Sequence, residues 1–352
     1  MNNLDRIIPD NPDVKRNRPL VLVTGATGTL GRVLVSQLLK NNYRVRALVR
    51  KISKKSIDTN DIEIFYGDIT DQPSLEAAFD KVDYVVHAAA DTLSTSFEKD
   101  VSTISGTKNI VLLCKKYKLK KLIYISTCNV YGVADYPSGY KIDEDSPLEQ
   151  FPEKRGSYTN TKLVAESLIQ KEIKSGNINA VCLRPGTYFG FGADYFTSLI
   201  GFSFKNRVFI TIGHKNLRLP LVCTENVADA IVFMLENSKC NGNTYNIIDN
   251  NPVTKDQYIK LFIKNIFPGS SYFHVPFWLL YSLIIIQERI FSLLGIRPIL
   301  TKYRYLSSQN NVVYLSDKIH KELLWNAPYE ISDMMNKMIE GSKIKKNKGL
   351  VS

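Results

Sequence analysis

Cysteine is scarce in this 352-residue chain. There are five, Cys114, Cys128, Cys182, Cys223 and Cys240, odd in number, widely scattered and without a CxxC pair. That pattern excludes a disulfide framework and a zinc ribbon, and predicts a reducing, cytoplasmic compartment. Histidine is scarcer still. His87, His214, His274 and His320 share no metal-ligand spacing and the acids form no carboxylate cage, so no catalytic metal is expected. The first eighteen residues lack the apolar core of a signal peptide; they read as a flexible arm, and secretion is not expected. Negative charge is also in short supply, 34 Asp+Glu against 46 Lys+Arg, for a net charge of +12. Such a surplus admits nucleic acid, a membrane surface, a phosphorylated ligand or mere solubility. No recognition motif or basic stripe interleaved with aromatics supports nucleic acid. The 44% of hydrophobic residues is ordinary and excludes a collagen-like or largely disordered chain.

What is present is an alternation of short β-branched runs with helical periodicity, which predicts an α/β fold with a parallel sheet. The strand candidates are Leu20–Thr24, Tyr43–Val49, Ile62–Tyr66, Tyr84–His87, Lys121–Ser126 and Ala180–Arg184. From Gly186 aromatics and turn residues break the pattern. It resumes with a strand at Pro220–Cys223, a helix over Asn226–Glu236 and a strand at Thr244–Ile248. The expected organisation is a Rossmann-type doubly wound sheet over 19–185, to which 221–250 return. Residues 186–220 and 251–340 would form a smaller substrate-binding lobe, and 341–352 a basic flexible tail.

The first strand runs straight into Gly25-Ala-Thr-Gly28-Thr-Leu-Gly31, followed by the apolar helix Val33–Leu39. Gly25 would permit the sharp turn, Gly28 the approach of backbone N–H groups to a pyrophosphate, and Gly31 the packing of helix on strand. The helix N-terminus adds unpaired donors and the positive end of a dipole. A NAD-binding fold places an acid about twenty residues later for the ribose 2′-OH. Here no acid occurs from Arg32 to Ile57, and the second strand ends in Arg50-Lys51, with Lys54 and Lys55 close behind. A guanidinium pairs with a 2′-phosphate that a carboxylate would repel, so NADP(H) is favoured over NAD(H). The alternative is that these cations face water and an amide or hydroxyl serves the ribose.

The GxxGxxG spacing resembles the extended branch of the short-chain dehydrogenase/reductase superfamily, spanning its epimerase/dehydratase and 3β-hydroxysteroid dehydrogenase-like members. Further stretches carry the likeness over roughly 19 to 250. They are Tyr66-Gly67-Asp68-Ile69, His87-Ala88-Ala89-Ala90, Gly106-Thr107-Lys108-Asn109, Ser126-Thr127-Cys-Asn-Val130-Tyr131-Gly132, Arg184-Pro185-Gly186 and Tyr245-Asn246-Ile247. The resemblance implies cofactor contacts from Thr27, Thr29 and Leu30 within the glycine turn, from Asp68 and Ile69, from Ala88, Ala89 and Ala90, and from Pro185, Gly186 and Thr187. It also implies a homodimer through helices near 107–117 and 158–174. Two departures stand out: Thr103 replaces the family's usual Asn, and Thr224-Glu225-Asn226 replaces its VxD, with Asn226 a candidate helix cap.

Tyr158 and Lys162 stand four residues apart on a predicted helix, hence on one face. A free tyrosine, with a pKa near ~10, is a poor proton catalyst at neutral pH. A cation one turn away should pull that value down. In the resembling family this lysine also bonds the nicotinamide ribose. Alignment on Val130-Tyr131-Gly132 gives the third member as Thr127, with Ser126 the second choice, to hold the substrate oxygen. Cys128 beside it reads as a packed thiol.

For the substrate lobe, Tyr188 and Arg218 are candidate contacts. Arg218 falls where sugar-nucleotide enzymes of the superfamily bind a phosphate, but Leu219-Pro220-Leu221 follows it, so a structural role stands beside the functional one. The apolar stretch 273–286 ends at Gln287, Glu288 and Arg289 and is too short to span a bilayer. It resembles a hydrophobic segment of the hydroxysteroid branch, echoed at Arg297-Pro298. Core or pocket packing is one reading; weak peripheral docking of 273–296 on the inner face of a membrane is the other. Three functions follow: an NADP(H)-dependent oxidoreductase acting on a secondary alcohol or ketone with Tyr158 as general acid/base, a nucleotide-sugar epimerase or dehydratase using its cofactor transiently, and a non-catalytic nucleotide sensor.

Overall fold

All five residues of β1 (Leu20–Thr24) are buried, and its two faces divide between two cores. Val21 and Val23 join one hydrophobic cluster; Leu20 and Leu22 join another on the opposite face. The same split recurs in β5 (Lys121–Ile125) and β6 (Ala180–Pro185), with Ile123, Ile125, Val181 and Leu183 in the first cluster and Leu122, Tyr124, Ala180 and Cys182 in the second. Strands buried on both faces belong in the middle of a parallel sheet clad by helices.

The computed structural model describes residues 18–50, 61–90, 97–296, 298 and 300–347. Lys51, Lys54, Lys55, Arg297, the arm up to residue 17 and the end of the basic tail lie outside them. The other strands of three or more residues are β2 (Arg44–Val49), β3 (Ile62–Tyr66), β4 (Tyr84–His87), β7 (Thr187–Phe189), β8 (Gly201–Phe204), β9 (Val208–Gly213), β10 (Leu221–Cys223), β11 (Thr244–Ile247) and β12 (Ser271–Pro276). The main helices are α1 (Thr29–Lys40), α2 (Phe97–Lys116), α3 (Ser157–Lys174), α4 (Thr224–Glu236), α5 (Phe277–Leu293), α6 (Lys302–Gln309) and α7 (Ile331–Asn347).

Seven strands form one parallel sheet in the order β11-β6-β5-β4-β1-β2-β3. The order reverses between β1 and β4, where Thr24 pairs with His87. A doubly wound sheet opens its ligand crevice at such a switch point, beyond the carboxyl ends of the strands. Helices α1 and α4 pack together on one face, α2 and α3 on the other. The expected Rossmann-type fold is therefore the fold observed.

Elsewhere the structure departs from the pattern. The strand expected at Pro220–Cys223 forms as β10 but pairs with β7 in a separate two-stranded ribbon. A three-stranded sheet, β12-β9-β8, joins a lobe core of Phe189, Phe209, Tyr258, Phe262 and the α7 residues Met334, Met335 and Met338. Asn226 does not cap α4, which begins two residues earlier. Its buried amide instead exchanges both bonds with the backbone of one residue, donating to the Tyr329 carbonyl at 2.7 Å and accepting from the Tyr329 N–H at 3.0 Å. Beside it Trp325 Nε1 donates to Asp229 at 2.8 Å, and Ile319, Leu323 and Trp325 complete the core on the α1/α4 face.

Candidate active site

The turn after β1 is built by close approaches. Gly25 has φ +72°, and a Cβ there would lie 2.8 Å from the Ala89 nitrogen, so the Ala88-Ala89 peptide occupies the space a side chain would need. A Cβ on Gly31 would lie 2.1 Å from the Gly25 carbonyl oxygen, which locks α1 against the turn. Gly28 differs. It is exposed, and a Cβ there would meet one atom, the Gly25 oxygen at 3.1 Å. Gly28 is also the N-cap of α1, without a side-chain cap bond and with no acid in the first turn. The leading N–H groups of Thr29, Leu30 and Gly31 therefore point their dipole end into an open cradle. That donor set fits the diphosphate of a dinucleotide. Thr27 and Thr29 flank the cradle, with Thr27 O accepting from Arg32 at 3.2 Å and Thr29 Oγ1 donating to Gly192 O at 3.3 Å.

The switch point carries a polar relay the sequence did not disclose. Ala89 N donates to Thr24 Oγ1 at 3.2 Å, and Thr24 Oγ1 lies 2.7 Å from His87 Nδ1. Thr107 Oγ1 donates to Thr103 O at 2.8 Å and lies 3.0 Å from His87 Nε2. With its proton committed to Thr103 O, Thr107 must accept from His87, which places the ring proton on Nε2 and leaves Nδ1 to accept from Thr24. Burial, with the Lys162 cation nearby, pushes the His87 pKa down to about 3, so the ring is neutral. It props the Ala88–Ala90 wall.

The remaining cofactor candidates are dispersed around this cradle. Asp68 Oδ1 is already engaged by Thr70, through its N–H at 2.9 Å and its hydroxyl at 2.8 Å. Ile69 is held by Asn109, whose amide donates to its carbonyl at 2.9 Å, and packs into space left by Gly106. Arg50 is exposed at the end of β2. Pro185 is buried, and Gly186 is required because a Cβ there would lie 2.2 Å from the Pro220 oxygen, which accepts from Thr187 N at 2.7 Å.

Thr127 follows β5 and heads a helical turn, accepting from Asn129 N at 3.2 Å. Its hydroxyl lies near enough to the Tyr158 phenol to lower that group's pKa. Tyr188 lies near enough for the two phenols to influence one another. Glu166, one turn beyond Lys162 on α3, sets Ser126 apart from Thr127. Ser126 donates its hydroxyl to the Glu166 carboxylate and points into the core. Arg184 clamps the other Glu166 oxygen at 2.5 Å and also donates to Tyr131 Oη at 2.8 Å. Tyr131 in turn donates to Asn246 Oδ1 at 2.7 Å. Glu166, buried at 1% exposure, was not singled out from sequence. Its signal was the spacing, since Tyr158, Lys162 and Glu166 repeat every fourth residue along one face of α3.

One electrostatic expectation is corrected. The Tyr158 pKa is raised by burial, which the Thr127 hydroxyl only partly offsets, and the Lys162 cation is not among its causes. Lys162 is itself buried and donates to the Ile125 carbonyl at 2.7 Å. Burial lowers its pKa to about 8, against an upward pull from Glu166. Cys128 is packed as expected, donating to Arg184 O at 3.1 Å, with its pKa pushed up by burial. Arg218 stands apart. It is exposed between buried Leu217 and Leu219, its N–H donates to Asn311 Oδ1 at 2.9 Å, and its main chain bridges to Thr254. Among the described residues no group of three His, Cys, Asp or Glu could hold a metal ion.

Known proteins share this framework. The model of the NAD dependent epimerase/dehydratase family matches residues 21–247. A sterol-4-alpha-carboxylate 3-dehydrogenase (decarboxylating) of Saccharomyces cerevisiae is 30% identical over 184 residues, 49% of this chain and 52% of that protein. The Mus musculus protein of the same name is 24% identical over 316 residues, 85% of this chain and 84% of its own length. The chain thus spans about half the length of the yeast relative. The structure of UDP-glucose 4-epimerase from Thermotoga maritima, solved with UDP-glucose, superposes with a TM-score of 0.71 at 18% identity, covering 93% of this chain and 99% of that one, a likeness of fold. The motifs that line the crevice and the match over 21–247 agree: the chain belongs to the NAD dependent epimerase/dehydratase family, in the extended short-chain dehydrogenase/reductase superfamily.

Proposed function

We propose that the chain is an NADP(H)-dependent oxidoreductase that moves hydride between the nicotinamide and a secondary alcohol or ketone. The observation that supports it best is the approach of the Thr127 hydroxyl to the Tyr158 phenol, with buried Lys162 one turn along α3. The nicotinamide supplies the hydride when bound. The chain supplies the cradle at Gly25–Gly31, the orientation and the proton. Burial keeps Tyr158 protonated at neutral pH, which suits a donor to a carbonyl oxygen gaining charge. Thr127 holds that oxygen beside the phenol. As the proton leaves, the Thr127 hydroxyl stabilises the phenolate. Arg50, with no acid between Arg32 and Ile57, supports the 2′-phosphorylated cofactor.

The sterol dehydrogenase names among the relatives make a fused-ring secondary alcohol the first substrate class to try. Exposed Leu112 and Val164, on α2 and α3, favour a homodimer closed over those helices. The second reading, a nucleotide-sugar epimerase or dehydratase, draws on exposed Arg218 as a phosphate contact.

The test follows NADPH absorbance and product mass together over a panel of ketones and nucleotide sugars. Stoichiometric NADPH consumption with a ketone supports the first reading; turnover of a nucleotide sugar without net consumption supports the second. Tyr158→Phe should lower turnover by a factor of about 10² or more while NADPH still binds. Wild-type turnover in that variant, or a preference for NADH, would overturn the corresponding part.

A further inference from the structure

The largest physical anomaly of the molecule lies away from the crevice, on one face of the β12-β9-β8 sheet. Strand registers fix that face. Ile210 is paired with Phe202 on one side and Phe273 on the other, and Val208 with Phe204. Residues directly opposite across a ladder project to the same side. Phe202, Phe204, Ile210 and Phe273 therefore form one apolar row, and all four are exposed, Phe204 at 69%. The opposite face, through Phe209, is buried in the lobe core.

The other end of the same face is covered. Ile212 and Val275, paired in register two residues further along, lie beneath α5 in a cluster with Phe277, Ile284 and Tyr305. Helix α5 thus lies across half of this sheet face and leaves the other half open beside it. Its own outer side is no more polar. Leu279, Leu283, Ile286, Ile290 and Leu293 repeat at three- and four-residue steps, with Trp278 beside the first of them, and all are exposed, Trp278 at 66% and Leu293 at 88%. A helix apolar on its solvent side, continuous with an uncovered aromatic row, is a surface built to meet something apolar.

Charge identifies the partner. The β8–β9 hairpin tip carries Lys205 and Arg207, both exposed, and Arg289 stands exposed within the α5 stripe. On β8, its hairpin, β9, β12 and α5 the only acid is Glu288, whose carboxylate is taken by the Lys302 N–H at 2.8 Å. Aromatic and aliphatic side chains bordered by cations complement the acyl and phosphate layers of an anionic bilayer. Two copies of this face would set like charges against each other. No described helix is long and apolar enough to cross a membrane, so the contact is one of lying on the surface.

We propose that the face formed by the β8–β9 hairpin, the exposed end of the β12-β9-β8 sheet and the outer side of α5 docks onto an anionic lipid surface. The face lies close to the crevice. Phe277 of α5 stacks on Tyr305 of α6 at 5.2 Å, and Arg304 of α6 lies against Gly156, two residues before Tyr158. The docking holds whatever reaction the crevice performs.

The test is co-sedimentation of the full chain with vesicles of phosphatidylcholine alone and of phosphatidylcholine with phosphatidylserine. The wild-type chain should bind the anionic vesicles and lose that binding as salt rises. Lys205→Glu with Arg207→Glu should weaken binding at least about ten-fold. Trp278→Glu with Leu283→Glu should abolish it, with circular dichroism and NADPH binding unchanged. Should the Trp278 and Leu283 variant misfold, the hairpin variant decides alone. Absence of wild-type binding, equal binding by the hairpin variant, or a concentration-dependent dimer that shields this face from hydrogen exchange each overturns the proposal.

Discussion

Lys162 and Glu166 stand one turn apart on α3, both buried, and the carboxylate holds up a lysine pKa that burial has brought down to about 8. Glu166 also accepts from Ser126 and Arg184, while Lys162 donates to the Ile125 carbonyl.

Glu166→Gln keeps the shape of that network and removes its charge. Loss of the negative partner lowers the Lys162 pKa further, because the buried ammonium then lacks its opposing field. If the ammonium is the required form, activity is present below that pKa and lost above it. The alkaline limb of kcat/KM, expected near pH 8 in the parent, should move down by about one unit, and Glu166→Asp should restore it partly. A pH profile checks this; a limb that stays in place while stability falls would assign Glu166 a structural role alone.

The two glycines of the turn should respond differently. Gly31→Ala drives a methyl into the Gly25 carbonyl and should cost about 3 kcal/mol of stability, seen as a lowered Tm. Gly28→Ala has extended backbone and one tight neighbour, so stability should change by about 1 kcal/mol or less. Its methyl would stand in the cradle, and NADPH affinity should fall by about ten-fold or more, measured by fluorescence titration.

Asp249 is buried, and its Oδ2 has no hydrogen-bond partner among the described residues. Burial raises its pKa from 3.8 to about 6. The folded chain therefore binds more protons than the unfolded one between those values, and stability from this group is lost as pH rises through about 6. Asp249→Asn removes the penalty. It should stabilise the protein by about 1–2 kcal/mol at pH 7.5 and change little at pH 4, by thermal melts at both.

The strands and the glycine turn were legible because their causes are local: burial on both faces writes an unbroken apolar run, and a tight turn writes glycine. Tyr158 and Lys162 were legible for the same reason, since helical spacing alone puts them on one face. The separation of Ser126 from Thr127 was not. It depends on where Glu166 sits forty residues later, and the Arg184 that secures Glu166 arrives from a different strand. The direction of the Tyr158 shift was misjudged because spacing reports a nearby cation and says nothing of the depth of burial. The β8 and β9 strands escaped notice because exposed aromatics imitate a core, and Asn226 because its partner is a peptide a hundred residues away.

That last contact sets an order of events in synthesis. The face of the sheet carrying α1 and α4 is finished by Ile319, Leu323 and Trp325, and pinned by Asn226 to Tyr329. While the ribosome is still extending the chain, the first two-thirds leave that apolar wall bare. That wall is covered only when residues 319–329 have emerged, so a stretch translated after the sheet acts as the clasp of the part translated before it.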